Sequence, residues 1–210
     1  MKIAFIGGGA IAQSIAVLAR AAGHDSVFGV RNPATSETSK FPRTGFEAAI
    51  AGADLVVIAV PYLATAEVLP PLAAALEGKI VIDTTNAVNA DWSPLLTGED
   101  WSGAEQIQTL LPKARVAKAF NTIYADVIRS DRLDRGGQKI SLFVASDDAD
   151  ATRTVMAFGT QIGFAAVNAG PLKSARYLEA IAHLNLELAF GQNDGTNTAI
   201  IYHRESLTSL

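Results

Sequence analysis

The sequence predicts a doubly wound α/β fold, in which a parallel sheet is covered by helices on both faces. The first observation is a glycine turn that joins a short apolar run to an amphipathic run within the first 24 residues. The second is that later apolar runs are continuous rather than alternating, which is typical of strands buried on both faces. The third is that amphipathic stretches separate several of these runs, as the crossover connections between parallel strands require.

Seven apolar runs are the candidate strands, and several amphipathic stretches are the candidate helices. The strands are residues 2–6, 26–30, 55–60, 80–82, 116–119, 141–145 and 164–167. Besides the helix after the glycine turn, the clearest helices are residues 64–76 and 149–162. Near Gly170 and Pro171 the pattern changes, and residues 174–190 resemble a long closing helix. We therefore expect a main domain at residues 1–168 and a small C-terminal helical lobe at residues 169–210.

The glycine turn predicts a binding site for a pyrophosphate group. A phosphate must approach the backbone closely here, and a Cβ atom would hold it away. Gly7 would form the tight turn, Gly9 would admit the pyrophosphate, and the helix start would supply amides and a positive dipole end. The alternative is a turn that merely joins an ordinary strand to a helix. The residues assigned to the site are Gly7, Gly8, Gly9, Ala10, Ile11 and Ala12.

The residues after the second candidate strand indicate which dinucleotide binds to this Rossmann-type domain. In such folds an Asp or Glu at the end of this strand accepts hydrogen bonds from the adenosine ribose. That position holds Gly29 here, and Val30, Arg31 and Asn32 follow. An arginine matches a phosphate dianion with paired donors. We therefore predict a 2′-phosphate site and NADP rather than NAD, the alternative being an arginine that is simply solvated.

Composition narrows the remaining function classes. The formal net charge is −4 and lysine and arginine do not cluster, which argues against nucleic acid and anionic membranes as partners. The chain has no cysteine, so disulfides, thiolate catalysis and cysteine metal ligands are excluded. Glycines interrupt the N-terminal apolar run, and no run approaches the roughly 20 apolar residues of a membrane helix. We expect a cytoplasmic protein without a metal site.

Three further stretches carry a specific resemblance to a known family. They read AVPY at residues 59–62, LPKARV at 111–116 running into KAFNTI at 118–123, and AGPL at 169–172 followed by AR at 175–176 and LE at 178–179. With the glycine turn, they make the chain resemble the NADPH-dependent reductases of the deazaflavin coenzyme F420. The same nucleotide-binding module occurs in the cytosolic part of membrane ferric reductases. The likeness extends over almost the whole chain, and the middle stretch is the most specific.

The resemblance implies roles for residues at the carboxyl ends of the strands, where ligands of open parallel sheets bind. The residues implied for the ribose and pyrophosphate side of NADP are Val60, Pro61 and Ala64. Those implied for positioning the nicotinamide and its acceptor are Asn86, Asn121, Thr122 and Ile123. Local structure offers alternatives: a strand end at Pro61, a turn at Asn86 and a helix cap at Asn121.

The chain departs from the family pattern at two positions. A hydroxyl residue often precedes the arginine and helps to hold the 2′-phosphate, whereas Val30 stands there in this chain. One hydrogen bond to the phosphate would then be missing. Ala12 replaces the commoner third glycine of the turn, which is a small steric change.

The reaction that the resemblance implies is direct hydride transfer between C4 of the nicotinamide and a flat conjugated acceptor, a deazaflavin or a flavin. Such an acceptor delocalises the arriving charge itself, so the protein need only hold two rings roughly 3–3.5 Å apart in alignment. No general acid is demanded. A closing lobe as small as residues 169–210 can hardly enclose a second ring system alone, so we expect the acceptor site and a homodimer contact there.

Two other functions stay open at this point. The nucleotide domain would also suit an NADP-dependent dehydrogenase or an imine reductase of a small substrate, although 210 residues leave no room for a large helical domain. The second open function is that of a non-catalytic redox sensor that binds NADP(H).

Residues 87–105, which include Trp92 and Trp101, are either a lid over the site or a surface connection that the tryptophans anchor.

Overall fold

The computed structural model describes residues 1–35, 40–95 and 101–204 of the chain. In these residues eight strands form one sheet with the order β3-β2-β1-β4-β5-β6-β7-β8. The strands are β1 (Lys2–Ile6), β2 (Asp25–Gly29), β3 (Arg43–Thr44), β4 (Leu55–Ile58), β5 (Ile80–Asp83), β6 (Arg115–Lys118), β7 (Ser141–Ser146) and β8 (Ala165–Gly170). The order 3-2-1-4-5-6 of the first six strands is that of the Rossmann fold, and the predicted fold class is confirmed.

Helices cover both faces of this sheet. The α-helices are α1 (Ala10–Ala21), α2 (Phe46–Ala51), α3 (Thr65–Val68), α4 (Gly103–Leu110), α5 (Ala149–Gln161) and α6 (Ala175–Leu186). Shorter 3-10 segments are Pro33–Thr35, Tyr62–Ala64, Pro70–Leu72, Ala125–Val127 and Leu172–Ser174, and a π-helical segment, Glu187–Gly191, follows α6. None of the helices in the described ranges is both long and apolar enough to cross a membrane.

The core lies on both faces of the sheet, as β1 illustrates. Ile3 and Phe5 belong to an apolar cluster that includes residues of α1 and α5. Ala4 and Ile6, which point to the opposite face, belong to a second cluster with residues of α2 and α4. Because both faces of the strand are buried, every residue from Ile3 to Ile6 is apolar, which explains the continuous apolar run in the sequence.

The predicted parallel sheet is observed, with one antiparallel pair in it. Strands β6 and β7 pair antiparallel, whereas the other neighbouring pairs among the described strands are parallel. The connection between β6 and β7 contains a single 3-10 turn, Ala125–Val127, and no α-helix. The connection, residues 119–140, is long enough for a parallel crossover, so the antiparallel pairing goes with the lack of a crossover helix in it rather than with its length.

The predicted helix at residues 64–76 is also wrong in part. Only α3 is α-helical there, and 3-10 segments precede and follow it. Pro70 and Pro71 have no N–H to donate, so they stop the i to i−4 hydrogen bonds of an α-helix. The long closing helix at residues 174–190 is observed as α6 and the π-helical segment that continues it.

The C-terminal part of the chain packs against the sheet. Leu172 and Ala175 belong to the second apolar cluster. Farther along, the carbonyl of Ile200 accepts a hydrogen bond from the Ser141 amide at 3.2 Å, and the Tyr202 amide donates to the Ser141 hydroxyl at 2.8 Å. The predicted boundary after residue 168 lies inside β8, and the end of the predicted lobe, residues 205–210, lies outside the described residues. The division into two units stays a prediction.

Candidate functional site

The glycine turn between β1 and α1 lies against the end of β4. Gly7 has a φ of +110°, and a Cβ there would lie 2.5 Å from the backbone oxygen of Ala59. The Gly7 amide donates to the carbonyl of Gly29 at the end of β2, at 3.0 Å. A side chain at position 7 would therefore push β1 away from the segment after β4, so the first glycine of the turn is needed for close packing.

Gly9 is the N-cap residue of α1 and faces open space. Among the described residues, no side chain caps this helix N-terminus, and no atom would lie within 4 Å of a Cβ at Gly9. Ala10 is exposed, Ile11 is half-buried, and Ala12 is buried in the core beneath the turn. The first amides of α1 and the positive end of its dipole thus meet an uncrowded space. This arrangement fits a pyrophosphate, whose oxygens accept hydrogen bonds from such amides.

The packing at the end of β2 explains why a glycine, Gly29, stands where related folds carry an acidic ligand of the ribose. A Cβ at Gly29 would lie 3.1 Å from the Cα of Phe46 and 3.2 Å from the Cβ of Ala49, both in α2. Any side chain at position 29 would be crowded by this helix, so the usual carboxylate ligand of the ribose has no room. Beyond it, Val30 is buried, whereas Arg31 and Asn32 are exposed. The predicted 2′-phosphate ligand is therefore open to solvent.

The segment after β4 lies beside the glycine turn. A Cγ atom of Val60 lies 3.1 Å from the position that a Cβ of Gly7 would take. Pro61 is exposed, and its carbonyl accepts a hydrogen bond from the Ala64 amide at 2.9 Å. Strand β4 already ends at Ile58, so Pro61 is the N-cap residue of the 3-10 segment Tyr62–Ala64 rather than the end of the strand. The structure thus brings the end of β4 next to the glycine turn.

Two predicted nicotinamide residues, Asn86 and Asn121, bind each other. Asn121 Nδ2 donates to Asn86 Oδ1 at 3.0 Å, and Asn86 Nδ2 donates to the Asn121 carbonyl at 2.8 Å. Asn121 Nδ2 also donates to the Leu178 carbonyl in α6 at 3.0 Å. The 3-10 segment that follows has Tyr124 at its N-cap, so helix capping does not describe the contacts of Asn121. The amide pair joins the chain after β5, the chain after β6, and α6.

The turn after β6 depends on a backbone conformation that the sequence did not reveal. Phe120 has a φ of +66°, which is uncommon for a residue other than glycine. Its ring is buried and packs edge-on against Phe164 and Phe158, with centroids 5.7 Å and 6.3 Å apart. This packing holds the strained residue in place. The two residues beyond Asn121 that were also predicted for the site, Thr122 and Ile123, are 3% and 5% exposed.

A buried lysine, Lys118, lies at the end of β6 and contacts three parts of the chain. Its Nζ lies 2.9 Å from a carboxylate oxygen of Asp83 and 2.8 Å from one of Glu179, and it donates to the Thr85 carbonyl at 2.6 Å. Burial by itself lowers the pKa of Lys118, but the two carboxylates together outweigh it and the pKa is raised. The lysine is therefore charged at neutral pH, and it ties α6 to β5 and β6.

The second carboxylate of this cluster also binds the start of α4. Glu179 accepts hydrogen bonds from the amides of Gly103 at 2.9 Å and Ala104 at 3.2 Å. The positive end of the α4 dipole therefore helps to balance the second negative charge of the buried cluster. Nearby, Arg176 donates to both carboxylate oxygens of Glu105, at 2.9 Å and 2.7 Å. This hydrogen bonding holds the pKa of Glu105 below its ordinary value, against the opposing effect of burial.

Sequence reasoning missed this ionic cluster, although a signal was present. Asp83 and Lys118 each end a strand that is otherwise mostly apolar, and Glu179 lies beside Leu178 on the apolar side of the closing helix. Fully buried acids and lysines are rare unless they are paired. Charged residues inside apolar runs could therefore have predicted a buried ion pair, but not which residues form it.

An open cleft of about 680 Å³ lies beside the 3-10 segment after Pro61. The Tyr62 hydroxyl donates to Gln106 at its wall, and Trp101 also lines the cleft. Burial raises the pKa of Tyr62, and the charges of Glu179 and Asp83 add to this effect. Trp101 is 51% exposed and Trp92 is 66% exposed, so neither is a buried anchor of its loop. Part of the predicted lid or connection, residues 96–100, lies outside the described residues.

The histidines His24 and His183 take structural positions. His183 contacts the carbonyl of Ala87 through Nε2 at 3.2 Å, and His24 contacts Gln161 and the N-terminal amine. Glu179, one turn before His183 in α6, is occupied by Lys118. Among the described residues no group of three or more His, Asp or Glu side chains is arranged to hold a metal ion.

Comparison with known proteins places the chain among nucleotide-dependent reductases. The sequence model of a family described as NADP oxidoreductase coenzyme F420-dependent matches residues 2–87. The metalloreductase STEAP3 of Rattus norvegicus is 30% identical over 184 residues, which cover 86% of this chain. The chain spans only 36% of the length of that metalloreductase, so the likeness concerns one part of it.

Two further relatives match over nearly their whole length. A crystal structure from Arthrobacter sp. FB24, provisionally named an F420-dependent NADP-reductase, matches with a TM-score of 0.86 and 27% identity over 97% of this chain and 100% of that one. An F420-dependent NADP reductase of Methanothermobacter thermautotrophicus is 31% identical over 212 residues, covering 90% of this chain and 89% of that protein. The resemblance found in the sequence is thereby confirmed, and the chain belongs to the family of F420-dependent NADP reductases.

Proposed function

We propose that the protein is an NADP-dependent oxidoreductase that transfers a hydride between NADPH and a deazaflavin coenzyme of the F420 type. In one direction, NADPH, the oxidised deazaflavin and one proton give NADP and the reduced deazaflavin. The nicotinamide supplies the hydride from its C4 atom. The observation that carries the proposal is the uncapped N-terminus of α1 at Gly9, which opens to free space in a chain of this family.

The residues of the first half of the site would bind the nucleotide. The amides that follow Gly9 would hold the pyrophosphate, and Arg31 and Asn32 would hold the adenosine end with its 2′-phosphate. Val60, Pro61 and Ala64 would lie along the ribose and pyrophosphate, since Val60 lies beside Gly7. All of these groups bind and orient the cofactor, and none of them has to move a proton.

The residues of the second half would position the nicotinamide and its acceptor. The hydrogen bonds within the Asn86 and Asn121 pair hold both side chains in one orientation. Thr122 and Ile123 are buried, so we propose that they act by positioning the chain after β6 rather than by exposed contacts. Rigid placement is what hydride transfer between two rings requires, because much of the barrier is one of distance and alignment.

The acceptor would bind next to these strand ends, with help from the C-terminal segment. The cleft beside Tyr62 and Trp101 offers an aromatic wall to a flat ring. A flavin could use the same surface, because it presents a similar flat conjugated ring. A dehydrogenase or imine reductase of a small substrate would instead need a group that donates or accepts a proton at the reacting atoms.

The test is an assay of NADPH absorbance after addition of oxidised F420, with a flavin and a ferric chelate as parallel acceptors. We expect NADPH to be consumed with F420, and we expect NADH to support at most about a tenth of that rate because it lacks the 2′-phosphate. Consumption only with small imines or keto acids would replace the proposal by the second function. No consumption with any acceptor, alongside tight NADPH binding, would make the protein a redox sensor.

We also propose that the protein is a cytoplasmic homodimer. Several apolar side chains of α6 and its π-helical continuation are exposed, namely Tyr177 at 73%, Leu184 at 58%, Leu188 at 41% and Phe190 at 61%. A surface with this many large apolar side chains on one segment is more typical of an interface than of a solvated helix. Sedimentation equilibrium is expected to give twice the 22.0 kDa mass of the chain. A mass equal to one chain would remove the dimer, and cell fractionation tests the location.

A further inference from the structure

Arg43, in the short edge strand β3, extends its side chain to the glycine turn. In the register of the sheet Arg43 pairs with Phe28 of β2, and β2 separates β3 from β1. A terminal guanidinium nitrogen of Arg43 nevertheless lies 3.6 Å from the position that a Cβ of Gly8 would take. A methyl group of Val30 lies 3.6 Å from the same point. The guanidinium therefore passes the end of β2 and lies beside the turn.

The guanidinium of Arg43 is not fully satisfied by the protein. Within the described part of the chain, its Nε is buried and has no hydrogen-bond partner. Another arginine close by in the fold, Arg20, lies over the ring of Phe41, with 4.7 Å between its guanidinium carbon and the ring centroid. A buried donor without a partner is rare in native proteins, and it often marks a place where a bound ion or ligand supplies the acceptor.

We propose that Arg43 is a ligand of the 2′-phosphate of NADP, together with Arg31, and that it helps the protein to select NADP over NAD. The proposal rests on the proposed function only in taking NADP as the nucleotide. A phosphate monoester carries nearly two negative charges near neutral pH. Arg31 follows Val30 directly in the chain and is exposed, and the Arg43 nitrogen and a methyl group of Val30 lie equally near Gly8. Val30 has no donor to offer, so a second arginine would supply the missing hydrogen bonds.

The position of Arg43 favours the 2′-phosphate over the pyrophosphate. The open amides of α1 begin at Gly9, whereas the Arg43 nitrogen lies near Gly8 and Val30, on the side of the turn that faces β2. The adenosine ribose of a dinucleotide lies at the end of β2. A ligand of the pyrophosphate would strengthen NADP and NAD binding equally, and a ligand of the 2′-phosphate would strengthen NADP binding alone.

The experiment measures the dissociation constants of NADP and NAD by calorimetry for the unmodified protein, Arg43→Met and Arg43→Lys. We expect Arg43→Met to weaken NADP binding about 10- to 100-fold, the range for one charged hydrogen-bond partner, and to change NAD binding less than about twofold. The NADP affinity of Arg43→Lys should lie between those of the unmodified protein and Arg43→Met, because lysine keeps the charge but lacks the planar guanidinium. The dissociation constants of adenosine 2′,5′-bisphosphate and 5′-AMP give the same comparison for ligands that lack the nicotinamide.

The control is Arg153→Met, which removes the same charge from α5, a helix that packs on β7 and β8 at the far end of the sheet. It should leave the NADP to NAD ratio unchanged. The proposal would be overturned if Arg43→Met left the ratio of NADP to NAD affinity unchanged, whether both affinities fell equally or neither changed. A folding defect would appear as a lower melting temperature without ligand together with lost NAD binding. Because only binding is measured, a failure to reduce deazaflavin would leave this result standing.

Discussion

Replacing Lys118 by methionine is expected to destabilise the protein by about 3–5 kcal/mol, the usual effect of removing one partner from a buried ion pair. The substitution leaves the carboxylates of Asp83 and Glu179 buried at 0% and 6% exposure without their cation. For a chain of this size we expect the melting temperature to fall by roughly 6–20 °C. Urea unfolding and calorimetry at neutral pH measure both quantities.

An exposed ion pair provides the matched control. Lys113 and Glu77 are 3.0 Å apart, close to the 2.9 Å and 2.8 Å of the Lys118 pairs, but their side chains are 69% and 56% exposed. Lys113→Met should therefore change the stability by less than about 1 kcal/mol. The triple variant Lys118→Met, Asp83→Asn, Glu179→Gln should regain part of the lost stability, because it removes the unpaired charges. If Lys118→Met had the same melting temperature as the unmodified protein, the cluster would not stabilise the fold.

Replacing Gly9 by valine is expected to weaken NADP binding by at least about 100-fold, which corresponds to about 2.7 kcal/mol. Position 9 has a φ of −73°, and no atom of the described ranges lies within 4 Å of the position that a Cβ would take, so these parts of the protein can accept a side chain there. The same side chain would fill the space in which the pyrophosphate must approach the first amides of α1. NAD binding should be lost to the same extent, because both nucleotides share the pyrophosphate.

Gly45 offers a control with the same backbone role. It is the N-cap residue of α2, with a φ of −64°, and a Cβ there would meet no atom within 4 Å in the part of the chain that the structure describes. Gly45→Val carries the same penalty for a poor N-cap residue, but lies at a helix start that we do not assign to phosphate. We expect similar melting temperatures for both variants and lost nucleotide binding only for Gly9→Val. Tight NADP binding by Gly9→Val would contradict the assignment of the pyrophosphate site.

The proposed nucleotide half of the site could be assigned from the sequence because its residues lie close together in the chain. Gly7 and Gly9 lie between a strand and a helix that are adjacent in the chain, and Arg31 follows the next strand directly. The structure adds a reason for Gly7, which packs on Ala59, and for Gly29 at the end of β2, which packs on Phe46. Spacing alone predicts such turns, because steric limits on the backbone act between near neighbours.

Other parts of the structure could not be predicted from local patterns. The strand β3 has only two residues and leaves no periodic signal. The position of the Arg43 side chain beside the glycine turn therefore could not be predicted. Phe120 takes a left-handed conformation that its residue type disfavours, and buried aromatic neighbours hold it there. The antiparallel pairing of β6 and β7 depends on the path of a connection without a helix.

By itself, the sequence determined the doubly wound class, the glycine turn between the first strand and the first helix, and the absence of a carboxylate after the second strand, since each is encoded by neighbouring residues. Only the tertiary structure decided that Lys118, Asp83 and Glu179 form one buried cluster. Asp83 and Lys118 face each other through the register of β5 and β6, and Glu179 arrives on a helix much later in the chain. Residues so far apart in sequence come together only in the folded sheet and its helices. A charged side chain can be buried only with a partner of opposite charge, and here the fold supplies that partner.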